Sequence, residues 1–179
     1  MKFIAYYDSP LGKITLAGDE ARADVWGLYF GDEERKIDLN YIIRQEGRRT
    51  DANMQVRGAL LDRSVKTFRG TLDFIQGARG SVGKEDEEVM ILSPHARNRS
   101  VPLMLSHEGD VDGHHAVSIG RMDEDKLFYL MSRGLDERAA QQLIVEASFE
   151  PVLARIESEE LRAEIGSYLE RRLLGGTQE

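Results

Sequence analysis

Two adjacent histidines and three nearby acids are the side chains of this sequence best suited to chemistry. His114 and His115 closely follow Glu108, Asp110 and Asp112. A neutral imidazole is a good ligand for a first-row transition metal, and carboxylates can bind the same ions. If the chain has a chemical site of its own, we expect it in this stretch.

The spacing of these residues limits what they can do together. Neighbouring side chains in a strand point to opposite faces, so His114 and His115 cannot easily bind one metal unless the strand bulges. Asp110 and Asp112, two residues apart, would share a strand face, as paired carboxylates in a carbohydrate-acting enzyme would have to. However, the neighbouring Glu108 and Gly109 are more typical of a turn than of a catalytic groove. A histidine pair in a strand is also often purely structural.

Bulk composition excludes several classes of protein. The 179 residues contain no cysteine, which excludes disulfides, cysteine-ligated zinc, thiol nucleophiles and a cluster held by this chain's own thiolates. The net charge of −8 argues against nonspecific binding to nucleic acid. No apolar run approaches the roughly 20 residues that span a bilayer, and the N-terminus lacks the features of a signal peptide. We therefore expect a cytoplasmic protein with neither a nucleic acid nor a membrane as partner.

The part of the chain from Ile14 to Ile119 is rich in predicted strands. Short apolar runs alternate with polar breaks, and residues Lys36 to Ile42 show the period of two that indicates one buried and one wet face. The candidate strands are ITLAG, ADVWGLYFG, KIDLNYIIRQ, NMQVRGALLD, SVKTFRGTLDFIQG, EVMILS, SVPLMLSHEG and HAVSIG. Among them no segment shows helical periodicity, which leaves a sandwich, a barrel or a β-solenoid. The breaks do not recur at one fixed period, so the pattern alone does not select the solenoid.

One charged run lies among these strands. The residues from Lys84 to Glu88 read KEDEE, and like-charge runs are usually solvated. We interpret this run as an acidic surface loop.

From Asp123 onward the apolar residues recur at helical spacing. A first helix would carry Leu127, Leu130 and Met131 on one face and end at Gly134. A second would start at Asp136 and Glu137, with a buried stripe of Ala140, Leu143, Ile144 and Ala147 and an interruption at Pro151. A third would begin after Ser158 as N-cap and carry Leu161, Ile165, Tyr168, Leu169 and Leu173.

The N-terminal residues 1–17 form a predicted hairpin. Residues 1–17 read as a hairpin, with the strands FIAYY and KITLA joined by a turn that contains Pro10 and Gly12. Taken alone, they resemble the opening of O6-alkylguanine-DNA alkyltransferases. That family works through a cysteine, which this chain lacks, so alkyl transfer is excluded. The hairpin is either a coincidence or a joined-on leader.

Taken together, longer segments resemble the SufB/SufD family of iron–sulfur cluster assembly proteins, and SufD more than SufB. The resemblance runs from about Ile14 to Leu173 and corresponds to somewhat less than half of a typical member, its C-terminal portion. The segments that carry it are ARADVWGLYFGD, KTFRGTLDFIQGARGS, ILSPHARNRSVPLM, GDVDGHHAVSIGRMDEDKLFYLMSRGL and LIVEASFEPVL. They occur in the family's order.

This resemblance implies a mainly β fold with a helical appendage. It predicts a right-handed parallel β-helix, that is a solenoid, followed by a small C-terminal helical domain. The corresponding domains are residues 1–13 (the hairpin or leader of uncertain origin), 14–120 (the β-helix) and 121–179 (the helices). A β-helix that began at residue 14 would expose strand edges, which the hairpin would have to cap if the chain is not to self-associate there.

The resemblance also implies partners and site residues. It predicts a non-enzymatic assembly subunit that dimerises through the β-helix with a SufB-type subunit or a second copy. A SufC-type ABC ATPase would dock on the C-terminal helices, for which the candidate contact residues are Leu127, Phe128, Leu130, Met131 and Arg133.

His115 falls on the family histidine that is implicated in binding iron or a cluster at the dimer interface, and His114 is a weaker candidate. A transient iron or iron–sulfur cluster would be shared with the partner, with none bound by this chain alone. Ala116 stands where SufB-type members have a glutamate, and Gly113 where some SufD proteins have a cysteine. The alternative is a metal-free interaction module, such as a truncated SufD-like protein that binds only the ATPase.

Overall fold

The computed structural model describes residues 11–173, which form eight strands followed by three helices. The strands are β1 (Leu11–Leu16), β2 (Arg22–Gly31), β3 (Lys36–Gln45), β4 (Asp51–Leu60), β5 (Val65–Phe74), β6 (Ser81–Ile91), β7 (Arg97–Ser106) and β8 (Val111–Arg121). The helices are α1 (Glu124–Ser132), α2 (Glu137–Leu153) and α3 (Glu159–Leu173). The predicted order of strands and then helices is confirmed.

The strands form two parallel four-stranded sheets. The odd sheet has the order β1-β3-β5-β7 and the even sheet has the order β2-β4-β6-β8. The chain alternates between them, so each pair of successive strands makes one turn, and every strand pairs in parallel with its equivalent in the next turn. This arrangement is a parallel β-solenoid. It resolves the choice that the strand pattern left open among sandwich, barrel and solenoid.

The repeat is visible in the backbone although the side chains conceal it. Arg22 pairs with Asp51, 29 residues later, and Asp51 pairs with Val82, 31 residues later. Because the offset changes between turns, the sequence shows no fixed period. In the first three turns, one corner uses a residue with a left-handed backbone at the equivalent place, namely Glu20 (φ 61°), Arg49 (φ 52°) and Gly80 (φ 68°). Three unlike side chains thus have one conformational role, which composition cannot show.

Two apolar cores hold the structure together. The first fills the solenoid, where alternate strand residues such as Met54, Val56 and Leu72 are fully buried. The second lies between the solenoid and the helices, where Phe30 and Ala59 on the even sheet pack with residues of α2 and α3. Apolar residues thus occupy both faces where the even strands end, so the helices are anchored to this sheet.

Each helix begins directly after a residue whose side chain caps it. Asp123 accepts hydrogen bonds from the backbone N–H groups of Asp125 and Lys126. The Asp136 carboxylate accepts from the N–H of Ala139, and the Ser158 hydroxyl accepts from Leu161. Each cap satisfies donors that the first helical turn leaves unpaired. No helix within residues 11–173 is long and apolar enough to cross a membrane.

The interior of α2 differs from the prediction. The predicted interruption at Pro151 is wrong, because α2 continues through this proline to Leu153. The buried residues of α2 are Ala140, Val145, Phe149 and Val152. The predicted stripe is therefore wrong beyond Ala140, and Leu143 is 46% exposed. The stripe is rotated because α2 packs against α3 and the even sheet rather than against a single neighbour.

The predicted N-terminal hairpin can be compared with the structure only in part. The predicted first strand and most of the predicted turn fall in residues 1–10, outside the described residues. Residues Leu11–Leu16 form β1, which pairs in parallel with β3 and so belongs to the odd sheet. The predicted boundary at residue 13 therefore falls within a strand of the solenoid.

Candidate functional site at the open end of the solenoid

The last turn of the solenoid leaves two strands with one unpaired side each. Within residues 11–173, β7 is one edge of the odd sheet and β8 is one edge of the even sheet, while β1 and β2 are the edges at the other end. We call the free edges of β7 and β8 the open end. The helix α2 contacts β2 and β4, at the opposite side of the even sheet. The inner face of the last turn is therefore reachable from outside.

His115 lies on this inner face. A Cβ atom placed on Gly113 would be 2.5 Å from the Met104 sulfur and 3.3 Å from the Phe74 ring, so the side chain of residue 113 points into the solenoid. His115, two residues later in β8, points the same way. Its side chain is nevertheless exposed, because the solenoid has no further turn above it.

His114 lies on the outer face and pairs with an acid there. Its Nε2 atom is 2.9 Å from Oδ1 of Asp112, and the two side chains are 62% and 65% exposed. The two histidines therefore point to opposite faces, as the alternation predicts. They do not converge, and no group of three His, Cys, Asp or Glu residues within 11–173 is arranged to hold a metal ion.

Glu108, the first of the nearby acids, closes a corner. Its carboxylate accepts hydrogen bonds from the backbone N–H groups of Gly77, Gly109 and Asp110. These bonds stabilise the charged form, and the one from Gly77 contributes most to lowering the pKa of Glu108. Glu108 therefore has a structural role, which is to stabilise the turn before β8.

Sequence reasoning missed a group of charged residues inside the solenoid. The run Lys84 to Glu88 is part of β6, not a surface loop, and Glu85 and Glu87 are 2% and 0% exposed. The solvated interpretation is wrong because the run alternates, with Lys84 and Glu88 exposed and the two glutamates buried. The period of two within KEDEE was the available signal.

Glu87 is held by a buried cation. Lys66 of β5 forms an ion pair with Glu87 across the interior, and both side chains are fully buried. The Tyr29 hydroxyl donates to the same carboxylate oxygen of Glu87 at 3.2 Å. Burial lowers the pKa of Lys66, while Glu87 acts in the opposite direction. Burial and then Glu87 raise the pKa of Tyr29 well above its ordinary value.

Hydrogen bonds connect this ion pair to the last turn. Lys66 Nζ also donates to the Ser100 hydroxyl of β7 at 3.2 Å, and Asn98 Nδ2 donates to the same oxygen at 3.0 Å. Both lone pairs of that hydroxyl are then used, so its proton is free to be donated elsewhere. The charged interior thus continues to the open end through a polar chain.

Glu85 is buried without a partner. Neither carboxylate oxygen has a hydrogen bond, and the side chain lies against Gly70 of β5. A Cβ atom on Gly70 would come within 2.0 Å of Glu85 Oε1, so a larger residue there would displace the Glu85 carboxyl group. Burial, with a smaller effect from Glu87, raises the pKa of Glu85 to about 7.

The helical domain exposes an apolar surface. Within α1 no residue is buried, and Phe128 is 74% and Met131 42% exposed. Leu127 and Leu130 are half-buried, and the Arg133 guanidinium lies 5.2 Å from the centre of the Tyr129 ring. We call the face formed by these residues and the neighbouring Leu135 and Leu143 the α1 surface. All five predicted contact residues therefore lie on one helix and its C-cap.

The geometry defines a class of protein: a parallel β-solenoid with a charged interior and with helices packed on one of its sheets. The profile of the SUF-system iron–sulfur cluster assembly SufBD core domain matches residues 12–148. The chain therefore belongs to the SufB/SufD family of iron–sulfur cluster assembly proteins.

Individual relatives have low sequence identity to the chain, and they belong to the same family. The chain is 28% identical to the iron–sulfur cluster assembly protein SufD of Bacillus subtilis over 159 residues, which cover 89% of this chain and 36% of the relative. It is 30% identical to a SufBD family protein of Pyrococcus horikoshii, with 89% and 35% covered. A SufBD family protein of Mycobacterium bovis is 28% identical, with 89% and 42% covered. The chain thus spans between about a third and two fifths of the length of these relatives.

Proposed function

We propose that this chain is a non-catalytic subunit of a SUF-type assembly complex. It dimerises through the open end, lends His115 as a ligand to iron or a nascent cluster as cargo, and docks a SufC-type ATPase on the α1 surface. The observation that carries the proposal is the inward-facing His115 on an unpaired strand edge. A ligand in that position becomes part of whatever interface covers the edge.

The two edges of the open end differ in their ability to pair. The N–H groups of Arg97, at the start of β7, and of His107, directly after its end, bond to the preceding turn. The backbone N–H and C=O groups of the even-numbered residues between them therefore point to the free edge. Pro102 is one of these, and it has no N–H to donate. In β8 the corresponding free positions are odd-numbered, include His115 and contain no proline. Strand pairing is therefore better supported at β8.

Apolar side chains border both edges. Val101, Leu103 and Leu105 on the outer face of β7 are each between 42% and 44% exposed, and Ile119 of β8 is 55% exposed. Exposed apolar side chains beside free strand edges are typical of an interaction site. A SufB-type subunit or a second copy seated here would remove these four side chains from water.

A lysine in place of Ile119, on the inner face of β8 at the open end, should prevent dimerisation. We expect Ile119→Lys to raise the dimer dissociation constant at least about 10-fold, because covering the end would bury an unpaired ammonium group at a cost above ~1.4 kcal/mol. Sedimentation velocity, with the chain alone and mixed with a SufB-type subunit, measures the change.

Ser118→Lys is the matched control, since it adds the same charge to the outer face of the same strand. It should leave the dissociation constant within about 3-fold of wild type. An equal loss in both variants would mean that the open end is not the interface. A wild-type chain that is monomeric under both conditions would remove the dimer from the proposal.

The α1 surface is suited to a helix-binding or groove-binding partner. An amphipathic helix with aromatic and methionine side chains can adapt to a protein groove, and the largest of them here, Phe128, makes little contact with its own chain. Burying this ring accounts for a favourable contribution of about 2 kcal/mol to docking.

Replacing this ring should abolish capture of the ATPase. We expect Phe128→Asp to reduce affinity for a SufC-type ATPase at least about 30-fold in a quantitative pull-down, because the apolar burial is lost and a carboxylate is desolvated. Lys126→Asp is the control on the same helix, where the lysine is 72% exposed. Equal binding by Phe128→Asp and wild type, with circular dichroism unchanged, would contradict the proposed surface.

A metal-free interaction module is the second candidate. It is favoured by the lack of any three-residue ligand group within 11–173. The two candidates differ in one measurement: cluster assembly by a reconstituted complex should fall on His115→Ala if the histidine is a ligand and should stay unchanged if it is not.

A further inference from the structure

The carboxyl group of Glu85 has no structural explanation in the free chain. It is almost completely buried, and neither oxygen has a hydrogen bond. Buried polar groups nearly always have a partner, because desolvation without one is costly. An acid at such a position therefore calls for a donor that none of the observed hydrogen bonds provides.

None of the hydrogen bonds in the interior, within residues 11–173, involves Glu85. Lys66 donates to Glu87 and Ser100, the Tyr29 hydroxyl donates to Glu87, and the Asn98 amide donates to Ser100. The Gln45 amide is buried without a partner and makes no bond to Glu85 either. The neighbouring strand β8 is the next place from which a donor can come.

His115 is the neighbour of Glu85 on the next strand. The two residues are paired in register between β6 and β8, and both side chains lie on the inner face. Adjacent strands are about 4.8 Å apart, so rotation of either side chain brings a ring nitrogen within hydrogen-bonding distance of the carboxyl group. Their column runs Val25, Met54, Glu85, His115, so the acid lies directly beneath the exposed histidine.

We propose that Glu85 is the positioning residue of His115. The Glu85 carboxyl group accepts a hydrogen bond from one ring nitrogen of His115 and so directs the other ring nitrogen out of the open end. The role rests on the proposed function of His115 as a ligand. A carboxyl group behind a metal-binding histidine fixes its tautomer and ring orientation. The ligand class is a first-row divalent metal ion, for which the outward nitrogen must be unprotonated.

Two substitutions separate this role from a general effect of removing a buried charge. Glu85→Gln and Glu85→Leu both remove the charge and are similar in size, but only glutamine keeps an oxygen that can accept the hydrogen bond. Both are made in a His114→Ala background, because the outer pair of His114 and Asp112 could bind metal independently.

The readouts are the tautomer ratio of His115 from ¹⁵N imidazole shifts, with and without Zn²⁺, and the Zn²⁺ affinity by calorimetry. We expect one dominant tautomer in the parent and in Glu85→Gln, and a mixture in Glu85→Leu. Zn²⁺ should bind at least about 10-fold more weakly to Glu85→Leu and within about 3-fold of the parent to Glu85→Gln.

An unchanged tautomer ratio in Glu85→Leu would overturn the positioning role, whatever the metal result. So would equal shifts in the two variants. A change confined to Glu85→Leu supports it, even if Zn²⁺ affinity proves the same in His115→Ala and the parent. That last result would count against the metal role in the proposed function and not against the contact between Glu85 and His115.

Discussion

Lys66→Met should unfold at much lower urea concentration than wild type, with a loss of about 3–5 kcal/mol at neutral pH. The substitution leaves Glu87 in the interior without its cation, although the Tyr29 hydroxyl still donates to it. A buried carboxylate without a counter-charge must either be desolvated or take up a proton, and both cost free energy. Urea unfolding monitored by circular dichroism gives the value.

The double variant decides whether the charges themselves are needed. Because paired buried ions can often be replaced by apolar residues without loss, we expect Lys66→Met/Glu87→Leu to recover most of the stability. Lys84→Met, at an exposed position of β6, serves as the control and should change the free energy of unfolding by less than about 0.5 kcal/mol. A loss below about 1 kcal/mol in Lys66→Met would show that the pair is not held as the structure has it.

The second large effect concerns pH and Glu85. Its folded pKa of about 7 exceeds the ordinary value of 4.5, so the folded state binds the proton more tightly than the unfolded state. The stabilisation is complete below about pH 4.5 and is lost as the pH rises towards 7, which amounts to about 3 kcal/mol at most. Glu85→Gln removes this dependence, because an amide does not titrate.

We therefore expect Glu85→Gln to be more stable than wild type by about 1–3 kcal/mol at pH 8 and nearly equal to it at pH 4.5. Thermal unfolding across this range measures the difference. Glu88→Gln is the control on the same strand, where the side chain is 52% exposed and should show little of this dependence. A constant difference between Glu85→Gln and wild type at every pH would refute the assigned protonation of Glu85.

The sequence predicted the strands, the N-cap at Ser158 and the two faces of the histidine pair, because each follows from local rules. Period-two patterns place strands, and Ser158 marks a helix start by satisfying a free N–H group. His114 and His115 point apart because strand side chains alternate.

What local rules could not supply is pairing over long separations. Whether Lys66 meets Glu87, and whether Glu85 lies beneath His115, depends on how the turns stack. The offset between equivalent residues is 29 from β2 to β4 and 31 from β4 to β6, so no fixed period shows which residues meet. The KEDEE run was misjudged for the same reason, since its buried face exists only once the opposite sheet is in place.

The open end also has a consequence for the dynamics of the chain. In a solenoid each turn is held mainly by its neighbours, and the last turn has a neighbour on one side only. Residues of β7 and β8 are at most half-buried, whereas most inner residues of β4 and β5 are fully buried. Amide hydrogens of the last turn should therefore exchange with solvent through cheap local opening rather than through global unfolding. The strand that carries His115 therefore belongs to a turn that can open locally with a small free-energy change.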